Sequence, residues 1–110
     1  MANESGNVQG PVLDYLKSIG AYAVNIHGGS VYQRAGIADI LACYKGWFMA
    51  IECKDEGNGP SELQKAHGRK VLKAGGIFIV AYCVEHVKEI IEDIDEGRTD
   101  NWKNKKQALV

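Results

Sequence analysis

Val8, Val12, Leu13, Leu16 and Ile19 recur at helical spacing, and Gly20 behind them is a natural C-terminal stop. Pro11 suits such a helix only in its first turn, where a missing N–H costs little, so the helix is expected to start between Asn7 and Pro11. The rhythm then changes to alternation. Residues 21–27 (AYAVNIH) read as a strand with Tyr22, Val24 and Ile26 on one face, and a glycine-bounded loop follows over 28–36. Two apolar runs, 38–44 and 47–54, flank Lys45-Gly46 and read as the arms of a hairpin. Past the turn-rich break DEGNGP (55–60), Ser61 opens a helix that runs to about Ala74 and stops at Gly75-Gly76. The run IFIVAYC (77–83) is apolar throughout, the mark of a strand covered on both faces. Val87, Ile90, Ile91 and Ile94 define a last amphipathic helix, ended by Gly97. The predicted order is α-β-β-β-α-β-α. Because the hairpin arms are apolar on both faces, helices are expected on both sides of a mixed sheet.

A tight turn at Lys45-Gly46 sets the pairing of the hairpin. Tyr44 falls opposite Trp47, Cys43 opposite Phe48, Ala42 opposite Met49, Ile40 opposite Ile51 and, further out, Asp39 opposite Glu52. Alternation then puts Asp39, Glu52 and Lys54 on one face, at one end of the hairpin. Opposed carboxylates repel, the more so when partly buried, and something positive must sit between them. Lys54 supplies some of that charge. A hard divalent cation is the other answer: Mg²⁺ needs only one or two carboxylates plus waters and a phosphate oxygen. The backbone carbonyl of Cys53 would point nearby and could add a ligand. The alternative is a salt bridge among the three groups, closing the end of the hairpin. Spacing alone leaves both readings open.

Composition narrows the setting. A length of 110 residues suits a single domain over 1–110, and 45% hydrophobic with 25% charged residues is a globular balance. With a formal charge of −1, a nucleic-acid site would have to be a local patch. No apolar run approaches the roughly 18 to 20 residues of a membrane span. The polar start MANESGNVQG is not a signal peptide, so no membrane partner and a cytoplasmic setting are expected. Cys43, Cys53 and Cys83 are odd in number and widely spaced, which reads as buried thiols rather than a disulfide framework or a zinc site. His27, His67 and His86 also lack metal-ligand spacing and read as surface or internally satisfied histidines.

Asp39, twelve intervening residues, then Glu52-Cys53-Lys54 resembles the D…(D/E)-x-K signature of the PD-(D/E)xK nuclease superfamily. The surroundings sharpen the likeness. The pattern E…VQ..VLDYL…G, then G..ADIL, IECK, S..Q, GG and a final apolar strand is similar to the VRR-NUC family, over about Glu4 to Val87. These are virus-type replication and repair nucleases related to Holliday-junction resolvases. Ala38 stands where the superfamily name places proline. The resemblance implies a restriction-endonuclease-like α/β fold, an α-β-β-β-α-β core with an extra C-terminal helix. It also implies that Asp39 and Glu52 bind metal, that Lys54 is the catalytic lysine, and that Glu4 and Gln64 complete the site. The cofactor would be Mg²⁺, with Mn²⁺ able to substitute, and the host a bacterial cell if the gene is phage-borne. Glu4 has the alternative of a solvated terminal acid. Gln64 has the alternative of a capping box, since Ser61-Glu62-Leu63-Gln64 lets a glutamine fold back onto the N-cap amide.

Lys65, Arg69 and Lys73 recur four residues apart as a basic stripe, Arg34 lies in the glycine loop, and Lys103, Lys105 and Lys106 crowd a basic tail over 98–110. The stripe is either a solvated face or a set of phosphate contacts. The function expected is Mg²⁺-dependent endonucleolytic cleavage of branched DNA, first of all Holliday junctions, and the resemblance implies 5′-phosphate and 3′-hydroxyl ends. Two symmetric cuts ask for a homodimer, with Trp47 and Met49 or the last helix offering apolar surface for the interface. The rivals are a non-catalytic nucleic-acid-binding module on the same fold, an interaction domain with a structural ionic trio, and a nuclease preferring flaps or ends.

Overall fold

A computed structural model describes residues 6–26 and 36–98. Helix α1 (Gly6–Ser18) leads into strand β1 (Tyr22–Asn25), the hairpin β2 (Ile40–Tyr44) and β3 (Trp47–Cys53), helix α2 (Glu62–Lys73), strand β4 (Ile77–Ala81) and helix α3 (Val84–Glu96). The strands form one sheet in the order β1-β2-β3-β4, antiparallel except for the parallel β3–β4 pair. This is the α/β class, the element order and the mixed sheet that the hydrophobic pattern predicts. The hairpin register also agrees, with Tyr44 opposite Trp47 and Ile40 opposite Ile51. Lys45 and Gly46 both take positive φ, 49° and 84°, the conformation a two-residue hairpin turn requires.

Two cores sandwich the sheet. On one face Val8, Val12 and Leu16 of α1 and Val87, Ile90, Ile91 and Ile94 of α3 pack onto Ile40, Met49, Ile51, Ile77 and Ile79. On the other face α2 covers Ala50, Phe78 and Val80 through Val71 and Leu72. Close approach of α2 depends on Gly68, where an added Cβ would sit 2.6 Å from the Phe78 ring.

Three sequence expectations need correction. Helix α1 begins at Gly6, so Pro11 lies within it, and the Asn7 carbonyl loses the N–H that would close its turn. Cys43 is exposed rather than buried, because α2 does not reach over β2 at that row; Cys53 is buried and Cys83 intermediate, all three as free thiols. Met49, Val87, Ile90, Ile91 and Ile94 are all core residues, so they are not spare surface for an interface, and Trp47 is partly buried against them. Among the described residues, no helix is long and apolar enough to cross a membrane.

Candidate active site

Asp39 and Glu52 come together at the open end of the hairpin. Asp39 immediately precedes β2, and its backbone carbonyl accepts from the Ile26 N–H at 2.8 Å, which ties it to the end of β1. Its side chain turns toward β3, where Oδ2 accepts from the Cys53 N–H at 2.9 Å. A backbone donor beyond the last β2–β3 pair is thereby satisfied by a carboxylate. Glu52 alternates with Ala50 along β3 and so faces α2. Both acids are withdrawn from solvent, Asp39 to 8% and Glu52 to 2% exposure. Buried carboxylates survive only with strong partners.

Those partners come from the strand end and the next helix. Lys54 directly follows β3, its N–H donating to the Ala81 carbonyl at 3.0 Å, and its Nζ lies 3.7 Å from Glu52 Oε2. Gln64 sits at the third position of α2. Its N–H donates to Ser61 Oγ at 3.2 Å and its Oε1 accepts from the Ser61 N–H at 2.7 Å, a complete capping box. The other end of the same amide, Nε2, donates to Glu52 Oε2. Capping and a place beside the acid are therefore simultaneous. The amide is the reason: its oxygen serves the cap while its nitrogen serves the carboxylate.

The Cys53 thiol registers the resulting field. Burial, then the charges of Asp39 and Glu52, push its pKa up to about 12, so it stays protonated at neutral pH and offers no thiolate. Among the described residues, no group of three or more Asp, Glu, His or Cys side chains forms a ready metal cage. The pair of buried acids suits Mg²⁺, which fills the rest of its shell with waters and phosphate oxygens. It does not suit a structural zinc ion, which takes four protein ligands.

No family model and no curated protein matches the sequence. Among solved structures, a chain described as "VRR_NUC domain" matches with a TM-score of 0.66 at 26% identity, over 83% of this chain and 97% of that one. The chain is similar to that VRR-NUC domain in fold and over most of its length. Its four-stranded mixed sheet and three helices match this nuclease fold, and the acids, lysine and glutamine lie where one hairpin end meets one helix start.

Two other expected site residues, Glu4 and Arg34, lie outside the described residues, as do His27 and the tail lysines Lys103, Lys105 and Lys106. Lys65, Arg69 and Lys73 fall on α2, the helix that carries Gln64; Arg69 and Lys73 are exposed, and Lys65 pairs with Glu62 at 3.3 Å. Sequence reasoning missed the supports of the loop after Lys54. Tyr82 Oη donates to the Asn58 carbonyl at 2.6 Å, and the Tyr82 N–H donates to His86 Nδ1 at 3.1 Å. The first contact binds the loop that follows the lysine to the end of β4, and the second ties that end to the start of α3. Nothing in the spacing of Asn58 and Tyr82 announces the first, since it depends on the parallel β3–β4 pairing.

Proposed function

We propose that this VRR-NUC-like domain is a Mg²⁺-dependent, structure-specific endodeoxyribonuclease that hydrolyses phosphodiester bonds in branched DNA, Holliday junctions first, as a homodimer. One observation carries the reading: Asp39 and Glu52 are buried together, with Lys54 and Gln64 both on the same Glu52 oxygen. Such an arrangement is costly for stability alone, since an apolar end to the hairpin would avoid desolvating two acids.

In this reading Asp39 and Glu52 would hold the cation, and the carbonyl of Cys53, next along β3 from Glu52, would add a ligand. Bound Mg²⁺ supplies charge neutralisation at the phosphate and an activated water at neutral pH. Lys54 stands at the edge of the pair, where its ammonium offsets charge that builds on the phosphate or, as the neutral amine, it helps take a proton from the attacking water. Gln64 fixes the rotamer of Glu52 by holding Oε2. Lys65, Arg69 and Lys73 lead the DNA backbone toward the start of α2, and Arg34 does the same from the glycine loop. Glu4 adds a further acid. The cut leaves a 5′-phosphate and a 3′-hydroxyl.

The test is Asp39→Asn on labelled four-way, flap and linear DNA, with and without Mg²⁺. Asparagine keeps an oxygen for the Cys53 N–H, so folding and DNA binding are expected to persist while cleavage is lost. Cleavage at the wild-type rate would overturn the assignment. Binding to junctions without cleavage by the wild-type protein, under any divalent metal, would instead favour a non-catalytic binding module.

A further inference from the structure

A second recognition surface lies beside the acids, along the same face of β3. Phe48, Ala50 and Glu52 alternate on that face, so Phe48 stands about 13 Å from Glu52 at the usual strand rise. Helix α2 runs alongside, with Gln64 at the acid end and His67 and Val71 further along. Between them the described residues form two neighbouring hollows. A small one of about 170 Å³ is lined by Leu41, Ala50 and Phe78 on the sheet and by His67 and Val71 on α2. An open cleft of about 490 Å³ follows, lined by Trp47, Phe48, Gly76, His67, Lys70 and Val71. His67 and Val71 line both, so the two are continuous.

The cleft has an unusual composition for a solvent-facing surface. Phe48 remains 44% exposed, although most of β3 is buried. Its ring lies over bare backbone, since a Cβ on Gly76 would meet it at 3.1 Å. Lys70 stands at the rim, and Arg69 and Lys73 follow on the same helix. An aromatic face with cations beside it is how proteins hold an unpaired nucleotide, the base stacked on the ring and the phosphate met by the lysine.

We propose that this cleft takes a nucleobase of the DNA strand being cut, one that unpairs at the branch point, stacked on Phe48 and with its phosphate toward Lys70. The proposal rests on the nuclease reading. About 13 Å spans at most about four nucleotides at the stacked spacing of ~3.4 Å. The held base therefore lies within that distance of the scissile phosphate. Stacking is tolerant of base identity, so the cleft selects for an unpaired strand rather than for sequence.

The experiment is a cycle between protein and DNA. Junctions carrying a single abasic site, moved one nucleotide at a time outward from the mapped cut, are titrated with full-length wild type, Phe48→Ala and Phe48→Leu in Ca²⁺. Wild type is expected to lose roughly 5- to 150-fold in affinity at one or two adjacent positions within four nucleotides of the cut. Phe48→Ala and Phe48→Leu should bind intact DNA more weakly by a similar factor and be indifferent to the abasic site at those positions. Phe48→Leu preserves apolar bulk, so it separates stacking from folding. Variants that stay as sensitive as wild type would overturn the proposal. So would loss of a dimer in Phe48→Ala by light scattering, which would give the surface to a second copy of the chain. Failure of the nuclease reading shows separately, as continued cleavage by Asp39→Asn.

Discussion

The Gln64 amide ties the integrity of α2 to the position of Glu52, and that linkage can be tested one residue at a time. Ser61→Ala removes the hydroxyl that accepts the Gln64 N–H, which typically costs about 0.5–2 kcal/mol of stability. The backbone N–H at that position still donates to Gln64 Oε1, but the first turn of α2 that carries Gln64 is loosened, so Mn²⁺ affinity should fall beyond what the stability loss explains. Calorimetric titration at a temperature where both proteins are folded measures this, and unchanged affinity would reduce Ser61 to a cap. The acid and the lysine should separate in the same assay. Glu52→Gln loses metal affinity, whereas Lys54→Ala keeps it, because removing a cation 3.7 Å from Glu52 Oε2 does not weaken a site for another cation. Turnover of Lys54→Ala should drop roughly 10²-fold or more. Equal loss of metal binding in both variants would make Lys54 a structural counter-ion. Much of this was legible beforehand. Asp39 opposite Glu52 follows from the two-residue turn and the period of two, which leave one register. The double use of Gln64 was not, because an i to i+3 cap is a local signal while its second bond crosses to a strand twelve residues back.

At the scale of elements, α2 is held against the sheet by an absence. Gly68→Ala gains about 1 kcal/mol in helix propensity. The new methyl, however, would meet the Phe78 ring at 2.6 Å, and overpacking a core typically costs about 1–3 kcal/mol. Phe78 is fully buried and cannot swing aside, so the collision is expected to win. Thermal unfolding should show a lower Tm, by roughly 4–8 °C for each net kcal/mol in a domain of this size. A Tm equal to or above wild type would mean that α2 can lift without loss. The same helix presents Lys65, Arg69 and Lys73. Replacing all three with alanine should weaken every DNA substrate alike and flatten the salt dependence of binding, whereas an unchanged slope would make them a solvated face. The elements themselves were readable because each has its own rhythm and stop, with Gly20, Gly75 and Gly97 all at positive φ behind their helices. Contacts between distant elements were not. Tyr44 and Lys45 at the hairpin tip both bond Asp95 in the last turn of α3, a meeting that no local pattern encodes.

The whole molecule raises the question of how one small domain would treat a four-way junction. Two equivalent strands must be cut, and one site cannot reach both at once, whereas two copies related by a two-fold axis can. The packing narrows where such an interface lies. Met49 and the apolar stripe of α3 belong to the core, so Ile91→Asp is expected to unfold the chain rather than dissociate a dimer. Large apolar side chains remain exposed at Tyr22, Phe48 and Leu63. A stable interface needs about 800 Å² from each partner, more than any one of these provides, so an interface there would have to draw on polar surface around them. If Phe48 is occupied by DNA, Phe48→Ala leaves the assembly unchanged. Light scattering should then give a mass twice the 12.0 kDa of one chain for both proteins, beside paired nicks across a four-way junction for the wild type. A strict monomer that prefers flaps or single-strand ends would sink the resolvase reading and leave the chemistry of Asp39, Glu52 and Lys54 standing.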